Sequence, residues 1–194
     1  MERSSRFVSL SGLSGIAAGV CALAGVFIAD RYLLDRDSDQ AGGLFFTADD
    51  FERVKVKMLL LGAGIFAAAF ISSFLLTWRK AKRSGLPIWD HTSKRLAWNM
   101  AIPLLAGAGF ILGMLRYDLW MFVAPACLIF YGLALVNASK YTFTDIRYLG
   151  YCEIILGIIN MFFIGKGLWF WAAGFGLLHI IYGAIMWWKY ENNE

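Results

Sequence analysis

The sequence predicts an all-α protein: a polytopic membrane helix bundle of six transmembrane helices arranged as three hairpins. Three observations predict it. The chain is 59% hydrophobic and 16% charged, with mean hydropathy +0.60, far from the balance of a soluble domain. Six apolar segments approach the ~20 residues that span a bilayer as a helix. They are Phe7–Ala29, Met58–Trp78, Ala97–Leu115, Leu119–Ala138, Leu149–Ile164 and Leu168–Trp188. Lysine and arginine alternate between rich and poor connections. With the N-terminus inside, 11 fall on the inner side and 7 on the outer. Cationic connections stay cytoplasmic, so both termini are placed inside. The chain reads as a single integral membrane domain over 1–194, with an extracytoplasmic acidic loop at 30–57 and a basic cytoplasmic loop at 79–96. The net charge of +4 is then an orientation signal; no basic domain outside the membrane is left to bind nucleic acid.

The first segment imitates a secretory signal. Arg3 and Arg6 precede an apolar run, and Ala22-Leu23-Ala24 resembles a cleavage site. The run continues through Gly25–Ala29, longer than a signal core, so the segment is read as a retained helix. Ser11, Gly15 and Gly19 recur at four-residue spacing, which lets another helix approach closely, within the chain or in a second copy.

The loop after it holds seven acids against five bases. Asp35, Asp37 and Asp39 imitate the opening of a calcium loop. Gln40 then replaces the sharp-turn glycine, and Phe46 the bidentate glutamate, so a solvated acidic loop is expected. Thr47 and Asp50 form a capping box, with Phe46 and Phe51 as its staple, and start the second helix outside the membrane. Its small residues Gly62, Gly64 and Ala67–Ala69 again imply close neighbours.

The inner loop combines cations with Trp89 and Trp98, an interfacial pattern that also suits anionic lipid. Asp90 or Thr92 caps the third helix. That helix carries Asn99 and Pro103 on one face, and the fourth carries Pro125 and Tyr131. Prolines inside spanning helices kink them, so both are expected to bend, which allows either a cavity or irregular packing.

The last two helices hold the most informative pattern. Thr142-Phe143-Thr144-Asp145, with Tyr141 and Ile146, is a second capping box that should open helix five. Glu153, Gly157 and Asn160 follow on one face. A turn at Gly165-Lys166-Gly167 leads to helix six, where Gly176, His179 and Gly183 share a face, with Tyr182 alongside. Glu153 and His179 each lie thirteen positions from Lys166. In an antiparallel hairpin both sit roughly 20 Å from the turn. A hydrocarbon core is about 30 Å thick, so both fall inside it. Ionisable groups there face the bundle and find partners. Glu153 and His179 are therefore read as an intramembrane polar pair, as a neutral hydrogen bond or as ions. Asn99, Tyr131, Asn160 and Tyr182 are candidates to line a cavity beside them. Gly15, Gly19, Gly157, Gly176 and Gly183 are candidates for helix packing.

A weak internal repeat accompanies this. Leu119-Trp120 is followed 21 residues later by Lys140-Tyr141, and Leu168-Trp169 likewise by Lys189-Tyr190. The offset of 49 residues returns the chain in the same orientation, unlike inverted transporter repeats. The surroundings of Glu153–Gly157 and Tyr182–Gly183 resemble hairpins of the enteric acid-stress membrane protein family. The chain as a whole is similar to small Gly-rich six-helix proteins of the bacterial inner membrane. That resemblance implies an accessory or stress-response role in that membrane and transfers no functional residue.

Enzymatic signatures are missing from the sequence: no HExxH, no Gly-x-Ser-x-Gly and no Walker loop. No catalytic residue, metal site or cofactor is therefore assigned. Cys21, Cys127 and Cys152 lie in apolar segments without CxxC spacing and read as packing residues. Two functions stay open. One is a non-catalytic accessory, assembly or stress-response protein of the bacterial inner membrane, whose partners are the lipid bilayer, a second copy or another membrane protein. The other is a small-solute or proton transporter or channel using Glu153 and His179.

Overall fold

The computed structural model describes residues 12–34, 48–83, 85 and 90–190. The N-terminal arginines, most of the acidic loop with Thr47, and Trp89 lie outside the described residues, as does Ser11. The described residues form six helices and no strand. They are α1 (Gly12–Ile28), α2 (Ala48–Arg83), α3 (His91–Arg116), α4 (Val123–Ala138), α5 (Ile146–Phe162) and α6 (Gly167–Tyr190). Five are long and apolar enough to cross a membrane when α1 is taken through Arg31 and α4 from Trp120; α5, at 17 residues without such an extension, is not among them.

The helices run further than hydropathy marks them. α1 continues as a π-helical turn over Ala29–Leu34. α2 begins at Ala48, so the acidic loop predicted over 30–57 is helical at both ends. α2 also continues through Arg79, Lys80, Lys82 and Arg83, residues that hydropathy assigns to the basic loop. Polar residues do not stop a helix; they only end its apolar stretch. At 36 residues α2 extends for about 54 Å, well beyond a hydrocarbon core.

Asp90 caps α3 as its position predicts: its Oδ1 accepts from the Ser93 backbone N–H at 2.7 Å. That bond holds the Asp90 carboxyl below the usual carboxylate range. Pro103 lies inside α3, which continues through it. Pro125 differs from expectation. It occupies the first turn of α4, where backbone N–H groups have no intrahelical acceptor to lose, so it starts the helix instead of kinking it.

Asp145, the last residue of the capping box expected at Thr142–Asp145, precedes α5 but makes no side-chain cap. Its Oδ2 accepts instead from Lys189 Nζ at 2.7 Å and Tyr190 Oη at 2.8 Å, joining the start of α5 to the end of α6. The Lys189 ammonium holds the Asp145 carboxyl below its ordinary value. A second link sits at the opposite end. Lys55 Nζ donates to Glu52 Oε1 at 2.7 Å and to Asp118 Oδ1 at 2.9 Å, tying the start of α2 to the α3–α4 turn.

Neighbouring helices pack antiparallel and closely. α1 lies between α2 and α6, and α4 between α3 and α5. The tightest contacts are made at glycines. A Cβ on Gly19 would fall 2.7 Å from the Gly176 carbonyl oxygen, and one on Gly183 would fall 2.6 Å from that of Gly12. Across α4 and α5, a Cβ on Gly132 would meet the Gly150 oxygen at 2.6 Å, and the reverse substitution is as close. Such contacts place backbone against backbone, as small residues permit. Gly165 makes the α5–α6 turn with φ +88, a conformation that glycine adopts without strain. The outer faces of α2 and α3 are apolar: Phe66, Phe70, Leu105 and Leu112 are all exposed.

Candidate functional site

The polar residues of the last two helices meet beneath α4. Glu153 projects from α5 and is fully buried at 0% exposure; His179 projects from α6 and is 5% exposed. His179 Nδ1 lies 3.4 Å from Glu153 Oε1. The same nitrogen lies 3.0 Å from the Gly174 carbonyl oxygen and is bonded to it. On the other side of the ring, Nε2 is 2.8 Å from the Tyr131 hydroxyl, which comes from α4. A carboxyl, an imidazole and a phenol therefore stand in a row contributed by three helices.

The geometry assigns the hydrogens. A carbonyl only accepts, so Nδ1 carries the proton directed at Gly174. In a neutral ring Nε2 is then the acceptor, and the Tyr131 hydroxyl donates to it. Glu153 is left with little: neither carboxyl oxygen has a hydrogen-bond partner among the described residues. Gly174 makes room for it. A Cβ there would fall 2.5 Å from Glu153 Oε2 and 2.6 Å from Leu128.

Local backbone geometry builds this contact. Residues Ala172–Leu178 of α6 form a π-helical stretch. Its wider turn stacks residues five apart, and Gly174 and His179 are five apart. In a regular α-helix they would diverge by about 140° around the axis, which hides the pair from a 3.6-residue reading. Gly174 is the residue that sequence reasoning missed. Phe175 belongs with it: its ring lies 5.2 Å from Tyr131 and 4.6 Å from Trp171, walling the row on one side.

The other predicted site residues are divided among separate places. Tyr182 packs against the Leu135, Ile146 and Leu149 cluster one turn along α6, with its hydroxyl buried and without a partner among the described residues. Asn160 is buried on the Glu153 face of α5; its Nδ2 reaches the Phe163 carbonyl at 3.4 Å, and its Oδ1 has no partner among the described residues. Asn99 does not join them. It accepts from Asn137 Nδ2 at its carbonyl, 2.8 Å away, and fastens α3 to α4. The packing glycines also separate. Gly15, Gly19, Gly176 and Gly183 form the α1–α6 contact, whereas Gly157 fits against Pro125 and Ile129 of α4. The small faces of α5 and α6 thus meet α4 and α1, and at Glu153 α6 presents the His179 imidazole and Gly174.

The thiols are free: Cys152 is exposed, and Cys21 and Cys127 are half-buried. No known protein family, curated protein or solved structure matches this chain.

Proposed function

We propose that the chain is a non-catalytic integral membrane protein of the bacterial inner membrane, with both termini cytoplasmic, acting as an accessory, assembly or stress-response factor. The observation that carries this reading is the close packing of helix backbones. Contacts at Gly12 and Gly19 bring α1 against α6, and those at Gly132 and Gly150 bring α4 against α5. A bundle so joined offers its outer apolar faces to lipid and partner helices. The two ion-pair links fit an alternating arrangement of spans, because Lys55 and Asp118 belong to connections on one side and Asp145 and Lys189 to connections on the other; the orientation itself rests on the lysine and arginine bias.

Two experiments test it. Single cysteines at Ser38 and Ser84, in a background lacking the native thiols, report the orientation. An impermeant reagent should label Ser38→Cys and not Ser84→Cys in intact cells; the reverse pattern overturns the topology. A deletion strain compared with its parent across pH, ionic strength and envelope stress reads the physiological role. A growth defect confined to one nutrient solute would favour transport instead.

A second reading, a proton conduit, draws on the row Tyr131–His179–Glu153. Its test is proton flux into vesicles holding the purified chain. Flux that Glu153→Gln abolishes supports it, and flux equal to that of empty vesicles rejects it.

A further inference from the structure

We infer that Glu153 is a proton-binding site coupled through the His179 Nδ1–H to the π-helical turn of α6, so that binding and release of one proton rearranges that turn. This rests on the row described above and concerns binding; it stands whether or not protons cross the bundle.

One hydrogen has two acceptors beside it. The His179 Nδ1–H is bonded to the Gly174 oxygen at 3.0 Å, while Glu153 Oε1 stands 3.4 Å from the same nitrogen. Glu153 is fully enclosed, and both its oxygens lack a donor among the described residues. An ionised carboxylate in that position would be a buried charge without hydrogen bonds, a costly arrangement. A neutral carboxylic acid fits that position better than a carboxylate does. When its proton leaves to solvent, Oε1 becomes a charged acceptor and outcompetes a backbone carbonyl for the same N–H. The imidazole then turns toward Glu153 and releases the Gly174 oxygen. That oxygen belongs to the Ala172–Leu178 turn, so its release frees an acceptor within the π-helical stretch. Gly174 lies against Glu153 Oε2, so the carboxyl and the turn move as neighbours.

Few other groups compete. From α4 the ring meets Tyr131, which bonds the opposite nitrogen. From α1, Gly15 lies near the His179 backbone carbonyl and carries no titratable group. On α6 itself Tyr182 is the nearest titratable side chain in sequence, and its hydroxyl makes no bond to the row. Asp145 and Lys189 are engaged with each other at the end of the bundle.

The chain has only two histidines, His91 and His179, so 15N-histidine labelling of the full-length protein in lipid vesicles yields two imidazoles. His91→Gln identifies the second. Infrared difference spectra on the same samples report the carboxylic acid carbonyl band. The expected result is a neutral His179 ring protonated at Nδ1, and a carboxylic acid band that disappears as pH rises. The Nδ1 resonance should shift over the same pH interval as that loss. Glu153→Gln should remove both the band and the shift, and Tyr131→Phe should displace the Nε2 resonance while leaving the band. If Glu153→Gln does not fold, the Nδ1 resonance of the parent decides, because the other carboxyls of the chain contribute acid bands of their own. A ring protonated at Nε2, an Nδ1 resonance that does not move with pH, or an Nδ1 shift at a different pH from loss of the band that Glu153→Gln removes overturns the inference. Persistence of the band in Glu153→Gln does the same. Absence of vesicle flux overturns only the conduit.

Discussion

His179 Nδ1 stands 3.4 Å from Glu153 Oε1, yet the bond it makes is to the Gly174 carbonyl at 3.0 Å. The two ionisable residues of the bundle interior are thus neighbours without a completed hydrogen bond. The fold holds them there with a π-helical turn on one helix and a bare glycine Cα against the carboxyl. Several outcomes depend on that arrangement and on the contacts that enforce it.

Glu153 and His179 should be energetically coupled. Glu153→Gln and His179→Ala each leave the other group buried beside an altered partner, so each should destabilise the bundle. A double-mutant cycle on reversible unfolding in detergent should give a coupling of about 0.5–3 kcal/mol, the range of residues that share a network. A coupling indistinguishable from zero would show that their proximity carries no energy.

Gly19→Leu and Gly15→Leu should destabilise the protein through the α1–α6 contact. A Cβ on Gly19 already meets the Gly176 oxygen at 2.7 Å, and one on Gly15 meets the Gly183 Cα at 3.2 Å. Overpacking of this kind costs about 1–3 kcal/mol, with Gly19 the more severe because its neighbour is a carbonyl within a helix. Gly109→Ala is the control: a Cβ there meets nothing within 4 Å. It should be neutral or slightly stabilising, because alanine is the better helix former. Thermal unfolding in detergent ranks the three, and equal midpoints would contradict the packing described.

Asp90→Ala should fray the start of α3. It removes the acceptor of the Ser93 N–H, and loss of such a cap costs about 1 kcal/mol. Asp90→Asn and Asp90→Ser keep an acceptor and should recover most of that loss. Hydrogen exchange at the first turn of α3 reads the effect, and equal protection in all three variants would argue against the cap.

The Asp145 link should weaken in acid. Lys189 and Tyr190 donate to its carboxylate and hold its pKa below the unfolded value. A group depressed in this way contributes stability above its unfolded pKa and loses it as pH falls through the folded one. The contribution is modest because both partners are partly exposed and screened by solvent. Stability should therefore decline more steeply with acid in the parent than in Asp145→Asn, measured below the ordinary carboxylate range. Parallel curves would mean that the link is not formed in solution.

The sequence by itself determined the helical class of this protein and singled out Glu153, Asn160 and His179 among its buried polar residues. Six apolar runs can be counted because a bilayer-length helix is a local property, needing about twenty consecutive apolar residues and no partner. Asp90 and the Gly165 turn were legible for the same reason: a cap and a left-handed φ are settled by residues a few positions apart. Glu153 and His179 stood out because ionisable groups are rare in apolar runs, and equal counts from Lys166 gave equal depth. Only the tertiary structure decided what they face. Helix rotation depends on neighbours distant in sequence, so the glycines of α5 and α6 turned to α4 and α1, and Asn99 went to Asn137. Asp145 left its cap because Lys189 and Tyr190 arrive from 44 and 45 residues away. Tyr131 reached His179 from 48 residues away. Gly174 entered the site through a π-helical turn, whose five-residue stacking has no counterpart in the α-helical periodicity by which the sequence is read.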